Sequence, residues 1–224
     1  MRFIKTTSPI SVPTIKNMKK FGFIFFSLFA FVFFIFSCSD MFIIKAEINE
    51  IGPYPQPLIE RLPIKVGVYY DNDFSTFEIT QETAPENIKM GKANIALFDY
   101  ILSHVFKEIT IVQNFPEEIE NIANIDLIIE PNIKDYSSYY VIGFIDSEYH
   151  VDITYEITFY SPIGKPIASW TIKGKGIVIY SFSSLKTLAK KATNIAMGEV
   201  AAKFMTDFCN QVDIKKLFYK ECCQ

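Results

Sequence analysis

The chain has 224 residues, of which 50% are hydrophobic and 21% are charged, and its formal net charge is −3. This length suffices for one well-buried domain with a targeting segment and is short for two domains. No acidic residue precedes Cys38 but five basic residues do, and without them 17 basic residues face 25 acidic ones, a net charge of −8. Because nucleic-acid binding needs a basic surface that neutralises phosphates, this acidic remainder disfavours that function.

The N-terminal part has the pattern of a secretory signal. An uncharged run of 16 residues, 21–36, follows Lys19 and Lys20 and ends just before Cys38. A basic region, an apolar region and a small residue before the cleavage point are the parts of such a signal, here residues 1–37. The apolar run would reach about 24 Å as a helix, short of the roughly 30 Å hydrocarbon core, which favours a signal over a permanent span. Met18 begins the pattern, so we expect either that the true start is there or that the 17 residues before it form a long basic region of the signal.

Residues 35–38, Ile-Phe-Ser-Cys, resemble the lipobox of bacterial lipoproteins. In that motif an aliphatic residue at −3 and a small residue at −1 precede a cysteine that is acylated and becomes the new N-terminus. Phe36 at −2 is similar to the relaxed lipoboxes of spirochaetes. The resemblance implies that Cys38 carries the lipid, detectable by palmitate labelling, and Ser39 implies the outer membrane, facing the periplasm. An inner-membrane lipid anchor stays open, as does a retained single-pass anchor extended by residues 41–44.

Residues 38–63 are expected to form a tether between the lipid and the domain. Prolines at alternate positions, 53, 55 and 57, favour an extended segment without a helix. The domain itself is expected over residues 64–208, and residues 209–224 form a cysteine-containing tail.

The first half of the domain reads as short strands around one helix. Residues 64–70 alternate as a strand does, and a second short strand is expected at 74–80. Pro85 and Gly91 bracket the start of a helix, whose apolar residues then recur at three and four positions up to Phe106. Further expected elements are a strand at 109–113, a short acidic helical turn after Pro116, and a strand at 125–129 that stops at Pro131.

The second half carries the longest β pattern and a long helix. Residues 148–180 read as a hairpin with a turn at 161–165, because apolar residues alternate with polar ones on both sides of that turn. Ser183 and Ser184 offer an N-cap for an amphipathic helix that runs to Phe208. The order of elements predicts an α+β fold, a mixed β-sheet with two long amphipathic helices on one face.

The spaced glycines, aromatics and small helical residues of this domain resemble a family of small envelope lipoproteins, whose domain is similar to the N-terminal domain of the Tol-system propeller protein and to the curli-secretion lipoprotein. The resemblance covers residues 64–208. Its residues are Gly91, Phe106, Asp126 to Pro131, Tyr155, Gly164, Trp170, Gly174, Ala192, Ala196, Met197 and Ala201. It implies a non-enzymatic accessory or docking part of an envelope transport, secretion or assembly complex, with a protein partner or further copies of the chain.

No catalytic constellation can be assigned from the sequence, so we expect no enzymatic activity. His104 and His150 lack a nearby acid or nucleophile that would complete a triad. Gly174-Lys175-Gly176 lacks the rest of a phosphate-loop motif and is expected to mark a bulge or a close strand approach.

The aromatic segment 136–160 is the one region with candidate binding residues, and they are Tyr139, Tyr140, Phe144 and Tyr149. These rings would stack on a glycan or another small ligand if they lined a concavity, which makes a glycan- or ligand-binding lipoprotein the alternative function. Aromatic residues also favour strands for packing reasons alone, so a purely structural role stays open.

Three cysteines, Cys209, Cys222 and Cys223, lie in the tail. Their odd number leaves at least one free or intermolecular in an oxidising compartment. Cys209 can pair with Cys222 or with Cys223, and either bond would close a small loop. A metal site would need more ligands, and the two histidines lie far away in sequence, so we expect neither a metal nor another cofactor.

Overall fold

The computed structural model describes residues 44–48, 52, 54, 60–80, 86–113, 115, 124–142, 146–180 and 184–222. They belong to one compact unit that runs from Ile44 to Gln224. The predicted signal segment, the acidic turn after Pro116, Cys38, Phe144 and Cys223 lie outside the described residues.

Eight strands and five α-helices lie in the described part of the chain. The strands are β1 Ile44–Glu47, β2 Leu62–Tyr69, β3 Glu78–Thr80, β4 Glu86–Lys89, β5 Phe106–Val112, β6 Leu127–Ile142, β7 Ser147–Tyr160 and β8 Pro166–Tyr180. The helices are α1 Asn72–Ser75, α2 Gly91–Val105, α3 Leu185–Asp207, α4 Val212–Leu217 and α5 Tyr219–Cys222, with a 3-10 turn at Phe208–Asn210.

The main sheet has five strands in the order β5-β2-β6-β7-β8. β2 pairs in parallel with β5 and with β6, whereas β6, β7 and β8 are antiparallel. The polypeptide between the parallel strands β2 and β5 includes helix α2, as parallel pairs require a crossover. The sheet is therefore mixed, and the predicted α+β class is confirmed.

The hairpin of β7 and β8 follows the sequence pattern closely. Alternate residues of β7, from Tyr149 to Phe159, are fully or almost fully buried. The turn closes with a hydrogen bond from Ser161 N to Lys165 O at 2.8 Å. Gly164 has a φ of 76°, a left-handed conformation that glycine adopts without steric strain.

The two long helices cover the inner face of the sheet, which is the face that carries the buried residues of β7. α2 buries Leu97, Phe98 and Ile101 in the core. α3 begins at the N-cap Ser184, whose Oγ accepts from Thr187 N at 3.3 Å. It approaches β8 so closely that a Cβ at Gly174 or Gly176 would overlap backbone carbonyls of α3. The two glycines thus mark a close helix approach and not the expected bulge or close strand approach.

The region before α2 differs from the expected strand at 74–80. Asp71 Oδ1 accepts from Phe74 N at 2.6 Å, and this cap starts the short helix α1, which extends into that segment as far as Ser75. Only Glu78–Thr80 is extended, and it pairs with β4 in a small sheet of order β1-β4-β3. A side-chain cap of this kind acts locally and overrides the weak β propensity of a short segment.

The segment expected as a tether contributes packed structure. β1 runs parallel to β4 in register, from the pair Ile44 and Glu86 to the pair Glu47 and Lys89. Tyr54 is 8% exposed: its ring lies on Gly198 of α3 and meets the ring of Tyr100 edge-on at 5.5 Å. The described residues of this segment are therefore attached to the helix layer.

β6 does not stop at Pro131, in contrast to the prediction. It continues to Ile142 and pairs with β7 from Ile128 to Ile142, with one register shift between Ile133 and Asp135. The pair Pro131 and Ile157 belongs to this ladder. The last residue of β6 that pairs with β2 is Ile129. Proline is tolerated beyond that point because β6 has only one described neighbour there, so a missing N–H need not break a ladder.

The C-terminal tail is packed onto the domain. A disulfide joins Cys209 to Cys222, with Cα atoms 5.2 Å apart. Ile214 of α4 is fully buried, and the ring of Phe208 lies edge-on to Phe106 at 5.1 Å. No helix in the described part of the chain is both long and apolar enough to cross a bilayer.

Candidate functional site

The outer face of the main sheet, opposite the two long helices, carries the alternate residues of β6, β7 and β8. Most of these residues are polar, since successive side chains of a strand point to opposite faces. At the end where β6 turns into β7, however, outer residues of β6 and β8 on either side of Glu148 and His150 are apolar and between 44% and 59% exposed. We call this group the apolar end, and it consists of Tyr139, Val141, Ile177 and Ile179.

The strand register places the apolar end in two cross-strand rows. Tyr139 lies opposite His150, which lies opposite Ile177. The rings of Tyr139 and His150 stack at 4.8 Å with an angle of 17° between their planes. His150 Nε2 lies 2.7 Å from Glu148 Oε2, which fixes the imidazole beneath the tyrosine. The ring of Tyr139 is thus held against the imidazole of His150.

Among the predicted binding aromatics that the structure describes, Tyr139, Tyr140 and Tyr149 do not converge on one concave surface. Tyr139 and Tyr140 are consecutive in β6, so their side chains point to opposite faces of the sheet. Tyr140 meets Tyr149 edge-on at 4.8 Å, and Tyr149 is fully buried. Only the outer ring, Tyr139, belongs to the apolar end.

One edge of the main sheet is capped by side chains of α3. The backbone N–H of Lys175 in β8 donates to Glu199 Oε2 at 2.6 Å, and Lys203 Nζ donates to the carbonyl of Lys173 at 2.7 Å. Glu199 and Lys203 also pair with each other at 2.6 Å. Burial works to raise the pKa of Glu199, but the hydrogen bonds from Lys203 and from Lys175 N–H outweigh it and hold that pKa below the ordinary value.

The other edge strand, β5, is open within the described residues. β5 pairs with β2 on one side. Apart from the N–H of Phe106, which donates to Leu102 O at the end of α2, no described backbone group of β5 bonds to a residue outside that pair. Lys107, Glu108 and Thr110 are exposed, and Ile111 is 59% exposed. Unpaired N–H and C=O groups on an edge strand are a template for pairing with another chain. Sequence alone could not find this feature, because a strand's position in the sheet follows from topology.

A cluster of polar groups is buried between the helices and the sheet. Tyr155 Oη donates to Asn94 Oδ1 at 2.8 Å, and Tyr136 Oη and Thr193 Oγ1 share a hydrogen bond of 3.2 Å. Burial raises the pKa of Tyr155 and also that of Tyr54. The phenols of Tyr155 and Tyr54 stay neutral at physiological pH. The hydrogen bonds of Tyr155 and Tyr136 link the sheet to α2 and α3.

The histidines do not assemble with catalytic partners in the described residues. His104 Nδ1 donates to the carbonyl of Tyr100, one turn earlier in α2, at 2.7 Å. His150, in contrast to the expectation, does have an acid beside it, because its Nε2 lies 2.7 Å from Glu148 Oε2. Its ring stacks on that of Tyr139. No cluster of three or more potential metal ligands is found among the described residues.

A small cavity of about 270 Å³ lies beside the start of α2. Its charged residues already pair with one another: Lys92 lies 3.6 Å from Glu47, and Lys89 lies 3.7 Å from Glu78. The remaining lining residues are Ile48, Ser75, Thr76, Phe77 and Gly91. This lining offers no unpaired charged side chain among the described residues.

Comparison with known proteins identifies no family for the chain. No protein-family model matches, and no curated protein matches. Among solved structures, a neuraminyllactose-binding hemagglutinin homolog from Helicobacter pylori matches with a TM-score of 0.47 and 12% identity, over 78% of this chain and 97% of that one. A minor lipoprotein from Acinetobacter baumannii gives 0.38 and 10%, over 66% and 92%. A lipoprotein from Neisseria meningitidis gives 0.36 and 12%, over 66% and 100%.

At these scores and identities, the structural similarities do not establish a function for this chain. The more specific resemblance to the Tol-system and curli-secretion domains stays a prediction.

Proposed function

We propose that this chain is a lipid-anchored, non-enzymatic docking component of a bacterial cell envelope. The lipid on Cys38 holds it in the outer membrane, facing the periplasm. The open edge of β5 pairs with a strand of a partner, which is either another envelope protein or a second copy of the chain.

The observation that carries the docking role is the difference between the two edges of the main sheet. The edge of β8 is occupied at Lys173 and Lys175 by the side chains of Lys203 and Glu199. The edge of β5 has no such cover from the described residues, and it presents the exposed Ile111. Proteins usually block long edge strands, so an open one that carries an exposed apolar residue supports β-strand addition by a partner.

The anchor is supported by the sequence around Cys38. Six positions separate Cys38 from Ile44, where β1 begins. A fully extended chain of that length spans about 20 Å, so a lipid on Cys38 would hold the domain close to the bilayer. This distance is sufficient for a docking role, because a partner would meet the domain at the membrane surface.

A photo-crosslinking amino acid at Ile111 tests the docking role in cells that make the full chain. We expect an adduct of defined mass at Ile111 and none at Ile163, an 80% exposed residue in the turn between β7 and β8 that serves as the matched control. A mass twice that of the chain identifies a second copy as the partner. The proposal is wrong if Ile111 gives no adduct or if both positions give the same adducts.

Palmitate labelling tests the anchor. We expect the wild-type chain to be labelled and the Cys38→Ala variant to remain unlabelled as a larger precursor. Cys223→Ala is the control and should keep the label. A retained single-pass anchor would instead leave both variants and the wild type unlabelled and equal in size.

A further inference from the structure

One end of the domain combines exposed apolar residues with lysines. The apolar end of the sheet has Tyr139, Val141, Ile177 and Ile179, all at least 44% exposed. Leu185, the first residue of α3, is 37% exposed. Monomeric proteins seldom expose several large apolar side chains side by side unless the surface contacts something.

The topology brings α3 to this same end of the sheet. β8 ends beside the turn between β6 and β7, since Tyr180 pairs with Ser147. α3 runs antiparallel to β8, because Ala192 lies over Gly176 and Ala196 lies over Gly174. Leu185 precedes Ala192 by seven residues, so the helix start reaches about 10 Å further toward the apolar end.

The first two turns of α3 carry three lysines, Lys186, Lys190 and Lys191. Lys186 and Lys191 are exposed and Lys190 is half-buried. None of the three forms an ion pair with any residue that the structure describes, whereas Lys203, further along the same helix, is paired with Glu199. Of the carboxylates at this end, Glu148 contacts His150, and Asp146 is exposed.

We propose that this end of the domain rests on the bilayer to which Cys38 anchors the chain. The three lysines contact anionic lipid headgroups, and Tyr139, Ile177 and Ile179 enter the interfacial region. This proposal rests on the proposed lipid anchor, and it adds which surface faces the membrane.

Two observations favour a lipid surface over a protein partner here. At this end of the domain, tyrosine and aliphatic residues lie on the outer face of the sheet and unpaired lysines lie on α3 at the inner face. Together they are the combination that suits an anionic membrane interface reached by the end of the domain. The chain also enters the domain through β1, which packs against α3, no more than about 20 Å of extended chain after Cys38. The anchor thus keeps the helix that carries the lysines near the membrane.

Fluorescence quenching by brominated lipids tests this orientation in the full-length lipoprotein. Trp170 is the single tryptophan, so Trp170→Phe gives a background without tryptophan. Tryptophan is then placed in turn at Tyr139, at Ile179 and, as the control, at Ile163 in the turn at the far end of the hairpin. The protein is reconstituted in vesicles of phosphatidylcholine and phosphatidylglycerol in equal parts. Circular dichroism melting confirms that each variant folds.

We expect the emission from positions 139 and 179 to shift to the blue and to be quenched several-fold more strongly than that from position 163. Replacing Lys186, Lys190 and Lys191 with glutamine should reduce this quenching in the anionic vesicles and not in pure phosphatidylcholine. Equal quenching at all three positions overturns the proposal. It is also overturned if quenching in the anionic vesicles is the same with and without the three lysine substitutions. If the protein floats with the vesicles but positions 139 and 179 are not quenched, the proposed orientation is wrong and the lipid anchor stands. That result is expected if this end of the domain contacts a protein partner. A protein that does not float refutes the lipid anchor as well.

Discussion

At the scale of single residues, two glycines decide how tightly α3 packs on the sheet. Gly174 and Gly176 lie opposite Ile153 and Val151 in the ladder with β7, without a bulge at either position. Their missing side chains allow the backbone of α3 to approach that of β8. A side chain at either position would push the helix away from the strand.

Replacing Gly176 with alanine should therefore destabilise the domain. The new Cβ would overlap the carbonyl of Ala192. Overpacking of this kind typically costs about 1–3 kcal/mol, and urea unfolding measures it. Gly52→Ala is the matched control, because a Cβ there meets nothing within 4 Å. If both variants unfold at the same urea concentration, the close approach of α3 to β8 is not real.

At the scale of elements, the strongly periodic segments could be predicted from the sequence. Alternation over β7 and β8 and the N-cap at Ser184 reflect local rules, and the structure follows them. Pro131 misled the prediction because proline excludes a strand only where a neighbour needs its N–H. The conformation of a short segment such as 74–80 depended on one helix cap at Asp71. Over so few residues, that cap outweighs the β propensity of the side chains.

The candidate site could not be predicted in the same way. The sequence indicated Tyr139 as a candidate binding ring, but it gave no information about which strands lie at the sheet edges. The cap on β8 joins residues 24 positions apart, Lys175 and Glu199. Only the i to i+4 spacing of Glu199 and Lys203 was a local signal, and it does not reveal the strand they cover.

The cap on β8 predicts a pH dependence of stability. The pKa of Glu199 is lower in the folded chain than its ordinary value of 4.5. The carboxylate therefore stabilises the fold above the unfolded-state pKa, and this contribution is lost as the pH falls through the folded pKa. Urea unfolding between neutral and acidic pH should show a steeper loss for the wild type than for Glu199→Gln.

Glu60→Gln serves as the control for that experiment, because Glu60 is a largely exposed carboxylate that pairs with Lys107 at 3.6 Å. Its pH profile should parallel that of the wild type. Identical profiles for all three proteins would mean that Glu199 does not cap the strand in solution.

At the scale of the whole molecule, some surfaces of the main sheet are covered by the domain itself and others are open. The inner face of the sheet is covered by α2 and α3, and one edge is capped by α3. The open edge of β5 and the apolar end are distinct surfaces. On the proposals above, a partner strand and a bilayer can therefore occupy the domain at once.

The disulfide in the tail should contribute to global stability. It closes a loop with a sequence separation of 13, next to the buried Phe208 and Ile214. In the chain-entropy account, a loop of this size is worth about 3 kcal/mol. Replacing both Cys209 and Cys222 with serine should lower the free energy of unfolding by about that amount, measured by urea unfolding. Cys223→Ser should leave it unchanged, and an equal loss in that variant would assign the pairing differently.

Tyr54 would also be a second point, after β1, at which a pull on the N-terminal side is resisted. Its ring is held between Gly198 and Tyr100, and the hydroxyl of Tyr100 donates to the Tyr54 carbonyl at 3.0 Å. Tension on the N-terminal side would be borne first by the ladder of β1 and β4 and then by this aromatic contact. The pull would be passed to the pair of long helices, and the ladders of the main sheet, including β5, would be shielded from it.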